Sequence, residues 1–395
     1  MKRNICTKKM ASSLDTKPGR NVSLDLLRIV CMSMVVCLHT LGHGGLIEGT
    51  LVPGSTNWYL GNILSAMCLQ AVNCFVLISG YFLCTARFKL SKLVTLWGQV
   101  FFYSVCVYLV LFILPTGVDF SLKELAKCAL PFTTDRYWFV SDYLLLYITF
   151  PFLNCALRAM DRKMHLICCA VLLMVFSVLP NLIYVYDFTG VNGGYSYTWF
   201  CVLYLLAAYI RLYVPRRIRH QKWMLPAYVL LSLAICAERF LATYVTPPFF
   251  GRVVLSSLFY SYNSIVSVPC ALALFQCFRG LDLSSKKLCR LISTIAPLTF
   301  AVYLIHEQDI LRPILWAWLD PSAWYSSSWM ILYVLGCSAY IFGVCCAVEK
   351  ARKKLFVMTG ITSAVQTVCD AVQSGFLMKT DRLMETEEKM NGNVS

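Results

Sequence analysis

Long apolar segments separated by short polar loops make up most of the chain. Each segment has roughly 20 mainly apolar residues, which is the length that an α-helix needs to cross the hydrocarbon core of a bilayer. The pattern predicts one transmembrane domain at residues 22–348, between cytoplasmic tails at residues 1–21 and 349–395. It predicts an all-α polytopic bundle of about ten helices, at residues 22–41, 60–82, 93–114, 136–157, 165–186, 198–214, 223–244, 252–278, 291–311 and 328–348.

The charges of the loops predict the orientation of these helices. Lys and Arg cluster in the loops on the side of the N-terminus, as at Arg87, Lys89 and Lys92 after the second span, whereas the other loops contain few. Positive residues near membrane spans favour the cytoplasmic side. Both termini are therefore expected in the cytoplasm. The first 21 residues lack an apolar core, so no cleavable signal peptide is expected.

Composition agrees with a membrane protein. Hydrophobic residues make up 58% of the chain and charged residues only 14%, whereas a soluble domain has nearer a quarter of charged residues. The net charge of +15 is dispersed over loops, which favours contact with anionic membrane lipid and argues against a nucleic-acid partner. Most of the 20 cysteines fall inside apolar segments and lack the paired spacing of zinc sites, so we expect no bound metal and no permanent cofactor.

The first span carries three ionisable residues on one helix face. Arg28 and His39 are eleven residues apart, close to three helical turns, and are separated along the axis by roughly 16 Å. Asp25 lies three residues before Arg28, where it can form an ion pair. One interpretation is that these residues only anchor the two helix ends. The other is that they line a polar cavity in the bundle.

Four patches in chain order resemble the membrane acyltransferase 3 family. Arg28 and His39 with the preceding Leu24-Asp25 resemble its first element, and the apolar run that ends at Ser79-Gly80-Tyr81 is similar to its second. The two later elements match Tyr137-Trp138-Phe139 and Tyr303-Leu-Ile-His306.

One element of the family differs here. Many members have an Arg-x-x-Arg pair in the cytoplasmic loop after the second element, where this chain has Lys89 and Lys92. Lysine keeps the charge but lacks the bidentate geometry of arginine toward phosphate.

The resemblance implies a membrane O-acyltransferase of the bacterial inner membrane. Such an enzyme would take acyl-CoA, with acetyl-CoA the favoured co-substrate, and acylate a hydroxyl of a surface glycan or its lipid-linked precursor. His39 is then the expected general base, with Asp25 and His306 in the catalytic set. The expected contacts to the CoA phosphates are Arg28, Arg87, Lys89 and Lys92.

Alternatives remain open at this stage. His306 could orient the acceptor or share proton transfer, or it could be an ordinary interfacial histidine. His43 lies four residues after His39, a spacing that can chelate a metal, but the glycines around it predict that the helix has already ended. A permease for a sugar or lipid-linked intermediate, and a sensor without chemistry, are the rival functions.

Overall fold

The computed structural model describes residues 21–134, 136–182, 189–245, 247–250 and 258–392, and these residues contain helices and no β-strand. The main helices are α1 (Val22–Gly42), α2 (Thr56–Cys68), α3 (Ala71–Leu83), α4 (Leu90–Ile113), α5 (Leu122–Ala129), α6 (Trp138–Ala159), α7 (Arg162–Leu173), α8 (Tyr197–Tyr213), α9 (Met224–Val245), α10 (Ser267–Arg279), α11 (Lys286–Ile295), α12 (Thr299–His306), α13 (Leu311–Leu319), α14 (Met330–Met358) and α15 (Ile361–Gly392). Shorter helical segments lie at Leu46–Thr50, Met174–Val178, Leu179–Leu182, Asn192–Gly194, Gln221–Trp223, Pro247–Phe250, Ala296–Leu298 and Pro321–Trp324.

Eight helical segments of the described residues are long and apolar enough to cross a membrane. They are Val22–Gly42, Thr56–Leu83, Leu90–Ile113, Trp138–Ala159, Arg162–Leu182, Gln221–Val245, Lys286–His306 and Met330–Met358. Two shorter apolar helices, α8 and α10, pack among them. The predicted all-α polytopic bundle is therefore confirmed.

Some boundaries differ from the predicted ones. The span expected at 60–82 consists of two helices, α2 and α3, which meet at Leu69 and Gln70. The helix of the span expected at 252–278 begins at Ser267. Residues 251–257, the end of the span expected at 165–186 and nearly all of the N-terminal tail lie outside the described residues.

The span expected at 291–311 ends early, at His306. The next helix, α13, begins at Leu311. The buried side chain of Gln308 caps its start, because its Oε1 accepts the backbone N–H groups of Ile310 and Leu311. A side-chain oxygen that satisfies free N–H groups is the usual device at a helix N-terminus. The break at 307–310 places His306, Glu307 and Gln308, all buried, at the end of α12.

Helix α1 lies at the centre of the bundle. It packs against α2, α3, α10, α11, α12 and α14, and its residues Leu24, Leu27 and Cys31 are fully buried. The side chain of Asn21 caps its first turn by accepting the N–H of Leu24 at 3.3 Å. A polar face on such a helix has to be matched by polar groups of the neighbouring helices.

The C-terminal helix α15 supplies a contact to the loop before α4. No side chain of that loop caps α4. Gln373, which is far away in the sequence, provides the cap instead: its Oε1 accepts the N–H of Leu90 at 2.9 Å. Its Nε2 donates to the carbonyl of Phe88 at 3.1 Å. The loop that contains Arg87 and Lys89 is thereby held by the last helix of the chain.

A buried carboxylate joins α14 to α4. Glu349 is fully buried and accepts a hydrogen bond from the Tyr103 hydroxyl at 2.6 Å and from Gln99 at 3.2 Å. Arg352 donates two hydrogen bonds to the same carboxylate, at 2.7 and 2.8 Å. A buried ion pair with every oxygen satisfied fixes the register between two helices.

We predict that Glu349→Gln destabilises the protein, because it leaves the Arg352 guanidinium without its counter-charge in a buried position. Removal of one partner of a buried pair costs about 3 kcal/mol. The loss should be visible as a clearly lower Tm of the detergent-solubilised protein. Lys350→Gln, at an exposed neighbouring position, is the control and should leave the Tm unchanged. An equal Tm for both variants would show that the pair contributes nothing.

Candidate active site

A cavity of about 660 Å³ runs along one face of α1. Arg28 and His39 both line it, together with Met32, Val35 and Leu38 between them. The arrangement is the one that the eleven-residue spacing predicts for a shared helix face. The two residues therefore face one internal space and not lipid.

The outer end of the cavity contains a cluster of histidines and a carboxylate. The Nδ1 atom of His39 lies 2.9 Å from Nε2 of His306 and 3.0 Å from Oε2 of Glu307. The other Glu307 oxygen lies 2.7 Å from Arg312 and 3.4 Å from Nε2 of His43. His306 is fully buried, whereas the His39 side chain keeps 22% of its surface exposed.

The hydrogen bonds define where the imidazole protons are. His306 donates from Nδ1 to the carbonyl of Val302 at 2.5 Å, so in neutral His306 the Nε2 atom carries a lone pair. When His39 is neutral as well, its Nδ1 donates to that lone pair or to Oε2 of Glu307, so the lone pair of the His39 ring lies on Nε2. His39 lines the cavity, and with Nδ1 in contact with His306 and Glu307, Nε2 is the ring nitrogen left for a ligand there.

Glu307, which directly follows the span that ends at His306, is held in its ionised form. Burial alone would raise the pKa of the Glu307 carboxyl, but the His39 and His43 imidazoles hold that pKa well below its usual range. A carboxylate beside Nδ1 stabilises positive charge on the His39 ring. The cluster is therefore suited to an imidazole that gains and loses a proton.

The ends of two helices, α12 and α1, bring these groups together. Helix α12 ends at His306, so Glu307 can turn back toward α1. Helix α1 ends just after His39, and a Cβ on Gly44 would lie 2.1 Å from the Thr40 carbonyl and 2.8 Å from Pro321. A larger residue than glycine would clash at this position. Gly44 therefore allows the chain to turn directly after His43, which lies 3.4 Å from Glu307.

The inner end of the cavity carries Arg28. Its Nη1 donates to Asp25 at 2.8 Å, and its guanidinium lies 5.4 Å from the centre of the Phe82 ring. Asp25 is buried, and the structure places it beside Arg28 and not beside His39. Of the expected catalytic set, the structure thus brings together His39 and His306.

The other expected phosphate contacts lie outside the cavity lining. Arg87, Lys89 and Lys92 are exposed in the loop before α4 and at its start. Arg28 lies beside the Phe82 ring, close to the end of α3 that leads into this loop, so these cations share one side of the bundle. Arg28 alone of the four lines the cavity.

The donor atoms of His39, His306 and Glu307 lie within 4.8 Å of one another, a grouping that could hold a metal ion. Two imidazole nitrogens on one zinc ion would be about 3.4 Å apart. The two rings here are in direct contact at 2.9 Å, as in a hydrogen bond. The geometry fits a proton-transfer pair better than a pair of metal ligands.

Sequence reasoning gave no role to three residues of the cavity. These residues are Glu307 and Arg312, at the break after α12, and Arg239 on α9, and all three line the cavity. The signal that could have found them is an ionisable residue within or next to an apolar span.

One family model, described as an acyltransferase domain, matches residues 21–349 of the chain. No significant match was found among curated proteins or among solved structures. The matched range contains every residue of the cavity lining.

We predict that diethyl pyrocarbonate modifies His39 in the folded protein but spares His306. His39 is partly exposed in the cavity with a free Nε2, whereas His306 is buried and bonded through both nitrogens. Peptide mass spectrometry after brief treatment measures both sites. The buried His165 serves as a second unreactive control and the exposed His220 as a reactive one. Equal modification of His39 and His306 would contradict the assigned hydrogen bonds.

Proposed function

Since the chain belongs to the acyltransferase 3 family, we propose that it is a membrane O-acyltransferase that uses acetyl-CoA or another acyl-CoA. The proposed acceptor is a hydroxyl group of a surface glycan or of its lipid-linked precursor. The proposed location is the bacterial inner membrane. The observation that carries the proposal is the cavity that joins Arg28 at one end to His39 at the other, where Nδ1 of His39 contacts His306 and Glu307.

The proposed donor enters from the inner side. Coenzyme A is polyanionic at one end and carries its thioester at the end of a long arm. Arg28 offers guanidinium donors to a phosphate, and exposed Arg87, Lys89 and Lys92 add positive charge on the same side. The rise of roughly 16 Å from Arg28 to His39 suits an extended arm that reaches the histidine cluster.

In the proposed reaction, His39 acts as the general base. Its Nε2 takes the proton of the acceptor hydroxyl while the oxygen attacks the thioester carbonyl carbon. The carbon–sulfur bond then breaks, and the proton passes from His39 to the leaving thiolate. The products are an O-acyl ester and free CoA, so atoms and charge balance without a further reactant.

The neighbours of His39 have distinct tasks in this scheme. Glu307 stabilises the positive charge that His39 carries between the two proton transfers. His306 accepts the hydrogen bond from Nδ1 and keeps the ring in the orientation that turns Nε2 to the cavity. Arg312 balances the charge of Glu307, which would otherwise be a lone buried carboxylate.

We predict that His39→Ala lowers kcat for acetyl transfer by about 10² to 10⁴, the usual contribution of a general base. Glu307→Gln, which removes the charge but keeps the size, should lower kcat by roughly tenfold or more. The measurement is the release of CoA in proteoliposomes with acetyl-CoA and a glycan acceptor. His220→Ala, an exposed histidine of an inner loop, is the matched control.

Two outcomes would contradict the proposal. Full acetylation by a well-folded His39→Ala variant would remove the general base. Transfer of the glycan across the membrane without any consumption of thioester would identify a permease.

We predict that Arg28→Gln raises the KM for acetyl-CoA by about tenfold with little change in kcat, because a charge-assisted contact to a phosphate is lost. Arg28→Lys should give a smaller change, since it keeps the charge beside Asp25. The comparison donor is acetyl-pantetheine, which has no phosphate, and its KM should be the same in wild type and variant. An equal rise of KM for both donors would show that Arg28 has only a structural task.

A further inference from the structure

Arg239 is an intramembrane cation whose task the proposed mechanism leaves open. It lies on α9 in the cavity lining, about sixteen residues from the inner end of that helix, at a depth similar to that of His39 on α1. An arginine within a membrane span is costly and normally has an anionic partner. No carboxylate of the described residues forms an ion pair with Arg239.

The charges of the cavity can be assigned one by one. Arg28 pairs with Asp25 at the inner end, and Arg312 pairs with Glu307 at the outer end. Arg239 instead lies over the ring of Tyr260, with its guanidinium 5.0 Å from the ring centre. Its neighbour Glu238 is not part of the cavity lining. Glu238 is the adjacent carboxylate, and no ion pair between the two side chains is present among the described residues, so the Arg239 guanidinium keeps its donors for a ligand in the cavity.

An aromatic wall stands beside this charge in the same cavity. Trp138 lies 4.5 Å from Tyr195 between ring centres and is stacked on Tyr262 at 6.2 Å, while Tyr195 and Tyr262 are 4.9 Å apart. These residues come from the start of α6, the loop before α8 and the segment before α10. All three connections lie at the outer end of the bundle.

The wall is held rigidly in place. The N–H of Tyr262 donates to the carbonyl of Gly193 at 2.9 Å, and its own carbonyl accepts from the buried Asn73 at 2.8 Å. A Cβ on Gly194 would lie 2.6 Å from Cβ of Tyr262, so only glycine allows the two segments to approach this closely. A preformed aromatic surface binds a flat ligand at little entropic cost.

From Arg239, which forms no ion pair with the described residues, and from the adjoining aromatic wall we infer that the outer half of the cavity is a subsite for an anionic acceptor. The acceptor class is a sugar that carries a carboxylate or a phosphate, with its charged group on Arg239 and a ring face on the Trp138–Tyr195–Tyr262 wall. The inference rests on the proposed function for the identity of the acceptor. Arg239 is a binding residue in this scheme, and it takes no part in proton transfer.

The test compares three probes that differ only in the group at C6: methyl β-glucoside, methyl β-glucuronide and the 6-phosphate of methyl β-glucoside. Binding of each to the full-length protein in nanodiscs is measured by calorimetry without donor, and acetyl transfer is measured separately. We expect the wild type to bind at least one charged probe at least tenfold more tightly than the neutral one. The charged probe that binds more tightly shows whether the subsite prefers a carboxylate or a phosphate.

Arg239→Gln should abolish that preference and leave binding of the neutral glucoside unchanged, and Arg239→Lys should retain part of it. Lys123→Gln removes an exposed charge from the outer helix α5 and should behave as the wild type. Equal binding of all three probes by the wild type, or no binding of either charged probe, would overturn the inference. A fall in kcat that is equal for all three acceptors in Arg239→Gln would overturn it too, since the guanidinium would then act on the reacting group.

The two proposals fail in different ways. Acetyl transfer without any preference for charge leaves the acyltransferase proposal standing and removes the anionic subsite. Arg239-dependent binding of a charged probe without acetyl transfer supports the subsite and removes the proposed reaction.

Discussion

The contact between the His39 and His306 rings is the interaction on which the site depends. A neutral imidazole pair in an apolar bundle is stable only when each nitrogen has a defined role, since an unsatisfied polar group there is costly. The carbonyl of Val302 fixes the proton on His306, and His306 in turn fixes the proton on His39. One backbone acceptor on α12 thereby favours the neutral form of His39 that has its lone pair on Nε2.

The same contact explains why α1 lies at the centre of the bundle. The polar groups of this helix face need partners near its two ends, and the surrounding helices supply them: Phe82 beside Arg28 at the inner end, His306 and Glu307 beside His39 at the outer end. The glycine turn after α1 and the break after α12 are placed where these partners have to meet. The packing of the bundle and the chemistry of its cavity are therefore set by the same residues.

The helical architecture could be predicted from hydrophobic length, and the shared face of Arg28 and His39 from helical periodicity, because both are local properties. The approach of His306 to His39 could not, because 267 residues separate them. Periodicity also gave no sign that the ninth span ends at His306, since a single buried side chain, that of Gln308, causes this break. Asp25 shares the helix face with His39, but its distance along the axis places it with Arg28.

The contact between Gln373 and the loop before α4 has a consequence for biosynthesis. The N-terminus of α4 obtains its cap from a residue 283 positions further along the chain. At rates of roughly 5 to 20 residues per second the ribosome needs on the order of tens of seconds to make that stretch. The early helices are therefore inserted before Gln373 has been synthesised, when the loop before α4 still lacks this contact. The loop reaches its final conformation only after α15 has left the ribosome.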